Sequence, residues 1–184
     1  MTDMLTCLQE RSSIRKYTGE RIPQEKLEKI LQAGLLSPTS RGLCPWEFIV
    51  VKNKDMLQRM THCRKGSADM LGKADCAVVV LGDRSISDTV IEDCSIAMSN
   101  MHNMADSLGL GSCWLQGRNR EAADGRPTED FLRELLCFPE NYVLEAVLAL
   151  GIPAEKRAPR ELDTLDYGKI HWEIYGEKQT GQKL

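Results

Sequence analysis

Hydrophobic positions along the chain change their spacing several times, and each change marks an element. Met4, Leu5 and Leu8 recur at helical spacing and predict a short first helix that ends before Arg11. Leu27, Ile30, Leu31 and Leu35 form the apolar stripe of a second helix, with Pro23 suited to its first turn and Pro38 closing it. Residues 48–51, Phe-Ile-Val-Val, predict a buried strand, and Asp55 can cap a helix carrying Met56, Leu57 and Met60. Residues 77–81 predict a second buried strand, stopped by Gly82 and Asp83. From 90 to 108 the period is helical for about five turns. Ile91, Ser95, Met98, His102 and Ala105 lie near one face of that helix, and Cys94, Ala97, Met101, Met104 and Leu108 crowd another. So wide an apolar circumference predicts burial on most sides, either centrally or at a subunit contact.

Gly109 suits a left-handed cap for this helix. Residues 112–115 and 142–150 predict two more strands. Between them lie a polar loop over 119–126 and a helix, capped by Thr128, that holds Phe131, Leu132, Leu135 and Leu136. Beyond about residue 155 the periodicity fails: Leu162, Leu165, Tyr167, Ile170, Trp172 and Tyr175 stand isolated among charges. Such a segment suits an arm laid along another surface. The pattern predicts a single α+β domain over 1–184, a central sheet packed by helices, with an arm over about 155–184. The βαβα rhythm of a doubly wound fold is absent, no G-x-G-x-x-G follows a strand, and there is no Walker-type phosphate loop.

Composition narrows the partners. With a formal charge of −3 and no basic stripe, nucleic acid is not an expected partner. The purest apolar run, 76–81, is far too short to span a bilayer, so no membrane partner is expected. The first seven residues lack the build of a secretory signal, and a cytoplasmic location is expected. Seven scattered cysteines without C-x-x-C spacing read as reduced thiols rather than as a zinc site or a redox dithiol. His62, His102 and His171 lack motif spacing, so structural or surface roles are expected, and no metal.

Three stretches could carry chemistry. Arg11 and Arg15, with Ser12 and Ser13 between, could grip a phosphate, since guanidinium forks match its oxygens; the alternative is a solvated face. Arg157 and Arg160 offer a second cationic pair, which would clamp a phosphate monoester if it met the first. Residues 37–46, Ser-Pro-Thr-Ser-Arg-Gly-Leu-Cys-Pro-Trp, form a loop rich in hydroxyls and main-chain donors; an ordinary helix-to-strand turn is the alternative. Glu92 and Asp93 suit a cap or salt bridge, and no Ser/His/Asp or Cys/His arrangement stands out. A phosphate clamp without a catalytic triad is what a cofactor-carrying protein needs.

These stretches resemble a known family. Residues 11–17, Arg-Ser-Ser-Ile-Arg-Lys-Tyr, are similar to the R-R-S-x-R-x-F/Y opening of the FMN-dependent nitroreductases. The 37–46 loop resembles that family's A-P-S-x-x-N-x-Q-P-W segment. Residues 108–114 resemble its L-G-L-G-S-C-W strand entry, and residues 149–156 its A-L-G-Y-P-A-E segment, all in order from about 8 to 176. The resemblance implies a nitroreductase-like fold with a mostly antiparallel sheet. It also implies a homodimer embraced by its C-terminal arms, with FMN in each of two clefts at the subunit interface. On that basis Arg11, Ser12, Ser13 and Arg15 would hold the phosphate and ribityl end, and Arg160 with Arg157 would complete the clamp. Pro38, Thr39, Ser40, Gly42 and Cys44 would line the isoalloxazine. A main-chain amide among Leu115, Gln116 and Gly117 would face flavin N5, and Arg15 is the candidate cation for the N1–O2 edge.

The implied activity is hydride transfer from NAD(P)H through flavin N5 to a small-molecule acceptor such as a nitroaromatic or quinone, by ping-pong turnover. The alternative is a flavin-binding dimer for storage or sensing. No side chain is assigned a catalytic role. This chain departs from the family pattern in four places. Ser12 stands at a common arginine position, Gly42 and Cys44 at the usual Asn and Gln positions, and Leu162 where a further arginine is usual. Weaker FMN retention than is typical of the family is therefore expected.

Overall fold

Four strands form one antiparallel sheet in the order β1-β2-β4-β3: β1 (Trp46–Val51), β2 (Cys76–Asp83), β3 (Gly111–Gln116) and β4 (Tyr142–Gly151). The structure is a computed structural model that describes residues 3–177. The central strands β2 and β4 are covered on both faces, which explains their unbroken apolar runs. Successive residues still alternate between two cores. Ala77, Val79 and Leu81 join Leu57, Met60 and Leu132, whereas Cys76, Val78 and Val80 join Ile30, Cys94, Met98 and Met101. Full burial of each large side chain contributes about 1.5–3 kcal/mol relative to exposure.

Two helices, α2 (Gln24–Leu35) and α4 (Val90–Ser107), cover one face, and α3 (Lys54–Met60) and α5 (Thr128–Leu136) cover the other. The short helix α1 (Met4–Glu10) packs against α4. Along α4, Cys94, Ala97, Met98, Met101 and Ala105 are wholly buried, as the wide apolar circumference predicts. Gly109, at φ 72°, ends the helix: its left-handed turn lets the Leu110 N–H donate to Ala105 O at 2.9 Å. Lys26 Nζ donates to Leu108 O at 2.7 Å, a cation at the negative end of the helix.

Some local expectations are corrected. β1 is not a buried strand but an edge, with only Trp46 and Val51 buried, because nothing pairs with its outer side among the described residues. The cap of α3 is Asn53, whose side chain accepts from Met56 N; Asp55 sits in the first turn instead. Thr128 is the first residue of α5, and its hydroxyl donates to Cys63 O at 2.7 Å rather than capping its own helix. Pro23 precedes the first turn of α2. Past residue 155 the chain makes only short 3-10 turns and leaves Leu165, Ile170, Trp172 and Tyr175 exposed, Tyr175 to 91%. The remainder of the expected arm, 178–184, lies outside the described residues.

Two features of the sheet position the site. In the β2–β4 register Val80 faces Ala146 and Leu81 faces Leu144, so Glu145 is the extra residue of a bulge. Beyond β4 the chain doubles back along the segment after α1. Thr18 N donates to Ile152 O and Ala154 N to Lys16 O, each at 2.9 Å. Gly111 and Gly151 permit this close approach: a Cβ on Gly111 would come within 2.8 Å of Ile14, and one on Gly151 within 2.7 Å of the Tyr17 ring.

Candidate functional site

The doubled-back segment brings the two cationic pairs together. The Glu155 carboxylate accepts from the main-chain N–H of Arg15 at 2.9 Å and of Lys16 at 3.3 Å. Arg160 N donates to Gln9 O at 3.0 Å, and Gln9 Nε2 donates back to Arg160 O at 3.1 Å. Between these clips lies a cleft of ≈ 340 Å³ lined by Arg11, Ser12, Ser13, Arg15, Arg157 and Arg160, with Gln9 and Ala158. Arg157 and Arg160 both contribute, so the cleft holds four guanidinium groups, two hydroxyls and no carboxylate.

Like charges crowd here without a directly paired counter-ion, although Asp106 acts on Arg11 and Glu155 on Arg157 from a distance. The ion pairs among the described residues leave all four arginines out. Burial, and then the adjacent Arg160, pull the pKa of Arg11 below its usual value, so its charge is held at a cost. Arg11 Nη1 instead donates to His102 Nε2 at 2.9 Å, and Arg15 Nη1 donates to Ser13 O at 3.4 Å. Both acceptors are neutral. A dianion entering the cleft would therefore meet four cations and no carboxylate in the lining, with Asp106 acting on Arg11 and Glu155 on Arg157 only from outside it.

β3 runs from this cleft to a second feature. Ser112, at its start, accepts at its main-chain oxygen from Ile14 N at 2.9 Å, so Ser112 faces away from β4. Main-chain direction alternates along a strand. Cys113 and Leu115 therefore point their N–H toward β4, and Trp114 and Gln116 toward the sheet's outer edge. Past the strand end, Gly117 N donates to Glu145 O at 3.3 Å and Arg118 N to the same oxygen at 3.1 Å. Of the three expected residues, Leu115 and Gly117 thus spend their amides inside the sheet, and the Leu115 side chain is buried in the core. Only the Gln116 N–H faces outward, roughly 13 Å from Ser112 at the usual rise per strand residue. The Gln116 side chain is pinned, accepting from Trp114 Nε1 at 2.8 Å and donating to Glu145 O at 3.3 Å.

The 37–46 loop sits elsewhere. Ser40 N donates to Asp93 Oδ1 at 2.9 Å on the first turn of α4, nine residues before His102, hence roughly 13 Å along the helix from the Arg11 contact. Within one chain, Pro38, Thr39, Ser40, Gly42 and Cys44 do not line the cationic cleft. The loop is strongly shaped: Arg41, Gly42 and Cys44 have φ of 55°, 69° and 48°, and left-handed residues of this kind concentrate where main-chain groups are presented to a ligand. Buried Asp93 is its brace, accepting also from Ser87 Oγ and Thr89 Oγ1 at 3.3 Å each. An exposed ion pair joins Arg41 to Asp88.

A model of the nitroreductase family matches residues 8–63 and 55–152. The chain belongs to the nitroreductase family. An Archaeoglobus fulgidus relative that carries the name NADH dehydrogenase/NAD(P)H nitroreductase is 38% identical over 167 residues, covering 89% of this chain and 92% of its own. The solved FMN-dependent nitroreductase of Clostridium difficile R20291 is 41% identical with a TM-score of 0.90, over 93% of this chain and 99% of its own. A Bacteroides fragilis nitroreductase with bound FMN is 26% identical, with a TM-score of 0.73 over 94% and 99% of the two chains.

The donor set of this nitroreductase fits a flavin mononucleotide. A terminal phosphate suits the carboxylate-free cleft, and a flat ring with acceptor edges suits a strand edge that presents an N–H. Sequence reasoning missed His102, Gln9, Asp93 and Glu145. His102 lay hidden on an apolar helix face, and Asp93 reads locally as a cap; their partners are distant in sequence, so no local spacing signals them.

Proposed function

We propose that this nitroreductase is an FMN-dependent NAD(P)H oxidoreductase that works as a homodimer. The observation that carries the reading is the convergence of Arg11, Arg15, Arg157 and Arg160 on one carboxylate-free cleft at the start of the open β3 edge. When bound, FMN would supply two-electron chemistry, hydride exchange at N5 between NAD(P)H and a nitroaromatic, quinone or similar acceptor in ping-pong turnover. The chain's own work is to bind and orient. The four guanidinium groups, with Ser12 and Ser13, hold the phosphate. The Gln116 N–H, fixed in direction by the β3–β4 ladder and the Glu145 bulge, is the donor for the N5 edge. Protons come from water, so no side-chain acid is required.

Dimerisation is supported by apolar surface that this chain does not cover. Met4, Leu5 and Leu8 on α1, Leu35 and Leu36 at the end of α2, and Leu165, Ile170, Trp172 and Tyr175 on the arm are all exposed, Leu36 to 83%. In a two-fold assembly the shaped 37–46 loop of one subunit is available to cover the ring held on the other. Among the described residues no helix is long and apolar enough to cross a membrane.

The test is an absorbance experiment on protein loaded with FMN. Yellow protein that bleaches with NADH or NADPH under anaerobic conditions, and recovers its colour with a quinone or nitroaromatic, is expected. Bound flavin that neither nicotinamide reduces would favour storage or sensing instead, and protein that never takes up FMN would overturn the whole reading.

A further inference from the structure

The arginine at the back of the cleft is held in an unusual way. His102 lies on α4 and is 7% exposed; Ser112 lies on β3 and is 2% exposed. Arg11 Nη1 sits 2.9 Å from His102 Nε2, and His102 Nδ1 sits 2.6 Å from Ser112 Oγ. A guanidinium only donates, so His102 Nε2 accepts and the ring proton is on Nδ1, which then donates to Ser112 Oγ. We infer that Ser112 and His102 form a prop that aims the Arg11 guanidinium into the cationic cleft while leaving its charge free for the phosphate of FMN. The inference rests on the flavin reading above and assigns His102 as a positioning residue.

The chemistry of the prop explains why a histidine serves here. A carboxylate would fix Arg11 equally well, yet it would neutralise the charge and compete with the incoming anion. A neutral imidazole fixes the fork and leaves the charge intact. Rotamer freedom lost in advance is not lost again on binding, which is preorganisation. Ser112 adds the tautomer: without an acceptor at Nδ1 the ring could carry its proton on Nε2 and face Arg11 donor to donor.

The surroundings keep the ring neutral. Arg11 faces it from the end of α1, with Arg160 beside Arg11; Asp106, one turn further along α4, acts on Arg11 without pairing to it, and burial and then Glu10 raise that carboxylate's own pKa. From α2, Lys26 is directed to the helix end at Leu108. Burial first, and Arg11 second, lower the His102 pKa to about 4. Protonation below that pH would set two cations against each other and release Arg11.

The test titrates apo-protein with FMN, riboflavin and inorganic phosphate by calorimetry, in the parent chain and in His102→Gln, His102→Leu and Ser112→Ala. Ring-nitrogen NMR of His102 is recorded alongside. Gln can accept from Arg11, whereas Leu cannot. We expect His102→Leu to weaken FMN and phosphate by about tenfold, the loss of one well-made charge-assisted bond, with riboflavin unchanged. His102→Gln should stay within about threefold, and NMR should show the Nδ1–H form at pH 7, less populated in Ser112→Ala. Parent-like phosphate binding in His102→Leu, equal losses in Leu and Gln, or an Nε2–H ring would overturn the prop. FMN binding no tighter than riboflavin in the parent would strike the flavin reading instead, while the tautomer and the phosphate titrations would still decide the prop.

Discussion

Gly42 and Cys44 stand where the motif that the 37–46 loop resembles has Asn and Gln, and the backbone there indicates what introducing those residues would do. Gly42 has φ 69° with nothing within 4 Å of a built Cβ, so a side chain at this position meets conformational cost and no clash. An ordinary L residue in the left-handed region costs about 1–2 kcal/mol, Asn less because its short amide bonds locally. Reduced freedom of the unfolded chain returns about 0.4–1 kcal/mol. Gly42→Asn should therefore change stability by under about 1 kcal/mol, a Tm shift of no more than roughly 2–4 °C for a chain of this size. Cys44 is already a Cβ-bearing residue at φ 48°, so Cys44→Gln adds no new backbone cost.

On the proposed dimer each substitution would add one amide facing the flavin held by the partner subunit, and one such hydrogen bond contributes about 0.5–1.5 kcal/mol net. That is roughly a two- to thirteenfold gain in FMN affinity, read by quenching of flavin fluorescence on titration into apo-protein. Gly42→Ala is the control, carrying the backbone cost without the amide. If Asn and Ala behave alike, or neither Gly42→Asn nor Cys44→Gln tightens binding, then these two positions do not explain FMN retention and the loop does not meet the ring as argued.

Other substitutions probe the scaffold around the site. Glu145 is 4% exposed, its Oε2 lacks a hydrogen-bond partner among the described residues, and burial pushes its pKa up. A raised folded pKa means that the native state binds more protons than the unfolded chain, so this group's contribution is full at acid pH and is lost as pH rises through the folded pKa. Glu145→Gln should therefore raise Tm at pH 8 relative to the parent by more than it does at pH 4.5; thermal melts at the two pH values showing the reverse order would refute this. Asp93→Asn removes one accepting oxygen from the brace of the 37–46 loop, with an expected cost of about 1–3 kcal/mol. Faster hydrogen exchange across residues 39–44 should accompany it, and unchanged exchange there would mean that Asp93 does not hold the loop.

Local periodicity carried most of the fold. The runs at 77–81 and 142–150 are strands because both their faces are buried, and the 90–108 helix is wide in its apolar face because it packs against both the sheet and α2. Phe48 to Val51 misled, because a hydrophobic edge strand reads like a central one when its neighbours are unknown. At the site, the arginine pairs were visible as residues but not as a cluster. Their meeting depends on Ile152, Ala154 and Glu155 zipping against 15–18, contacts about 140 residues apart in sequence. That Gln116, of the three candidate amides, is the one directed away from β4 needed the strand's register, and the His102 contact needed three separate elements in place.

The central claim is that the cationic cleft exists to hold the terminal phosphate of a flavin. Comparing FMN with riboflavin on the same apo-protein isolates that phosphate, because the ring and ribityl chain are common to both. With two or more charge-assisted bonds at about 1.5–3 kcal/mol each, FMN should bind at least about 100-fold more tightly, and Arg11→Gln with Arg160→Gln should erase most of the difference. Equal affinities for FMN and riboflavin, or a preference for FMN that survives loss of both arginines, would contradict the account.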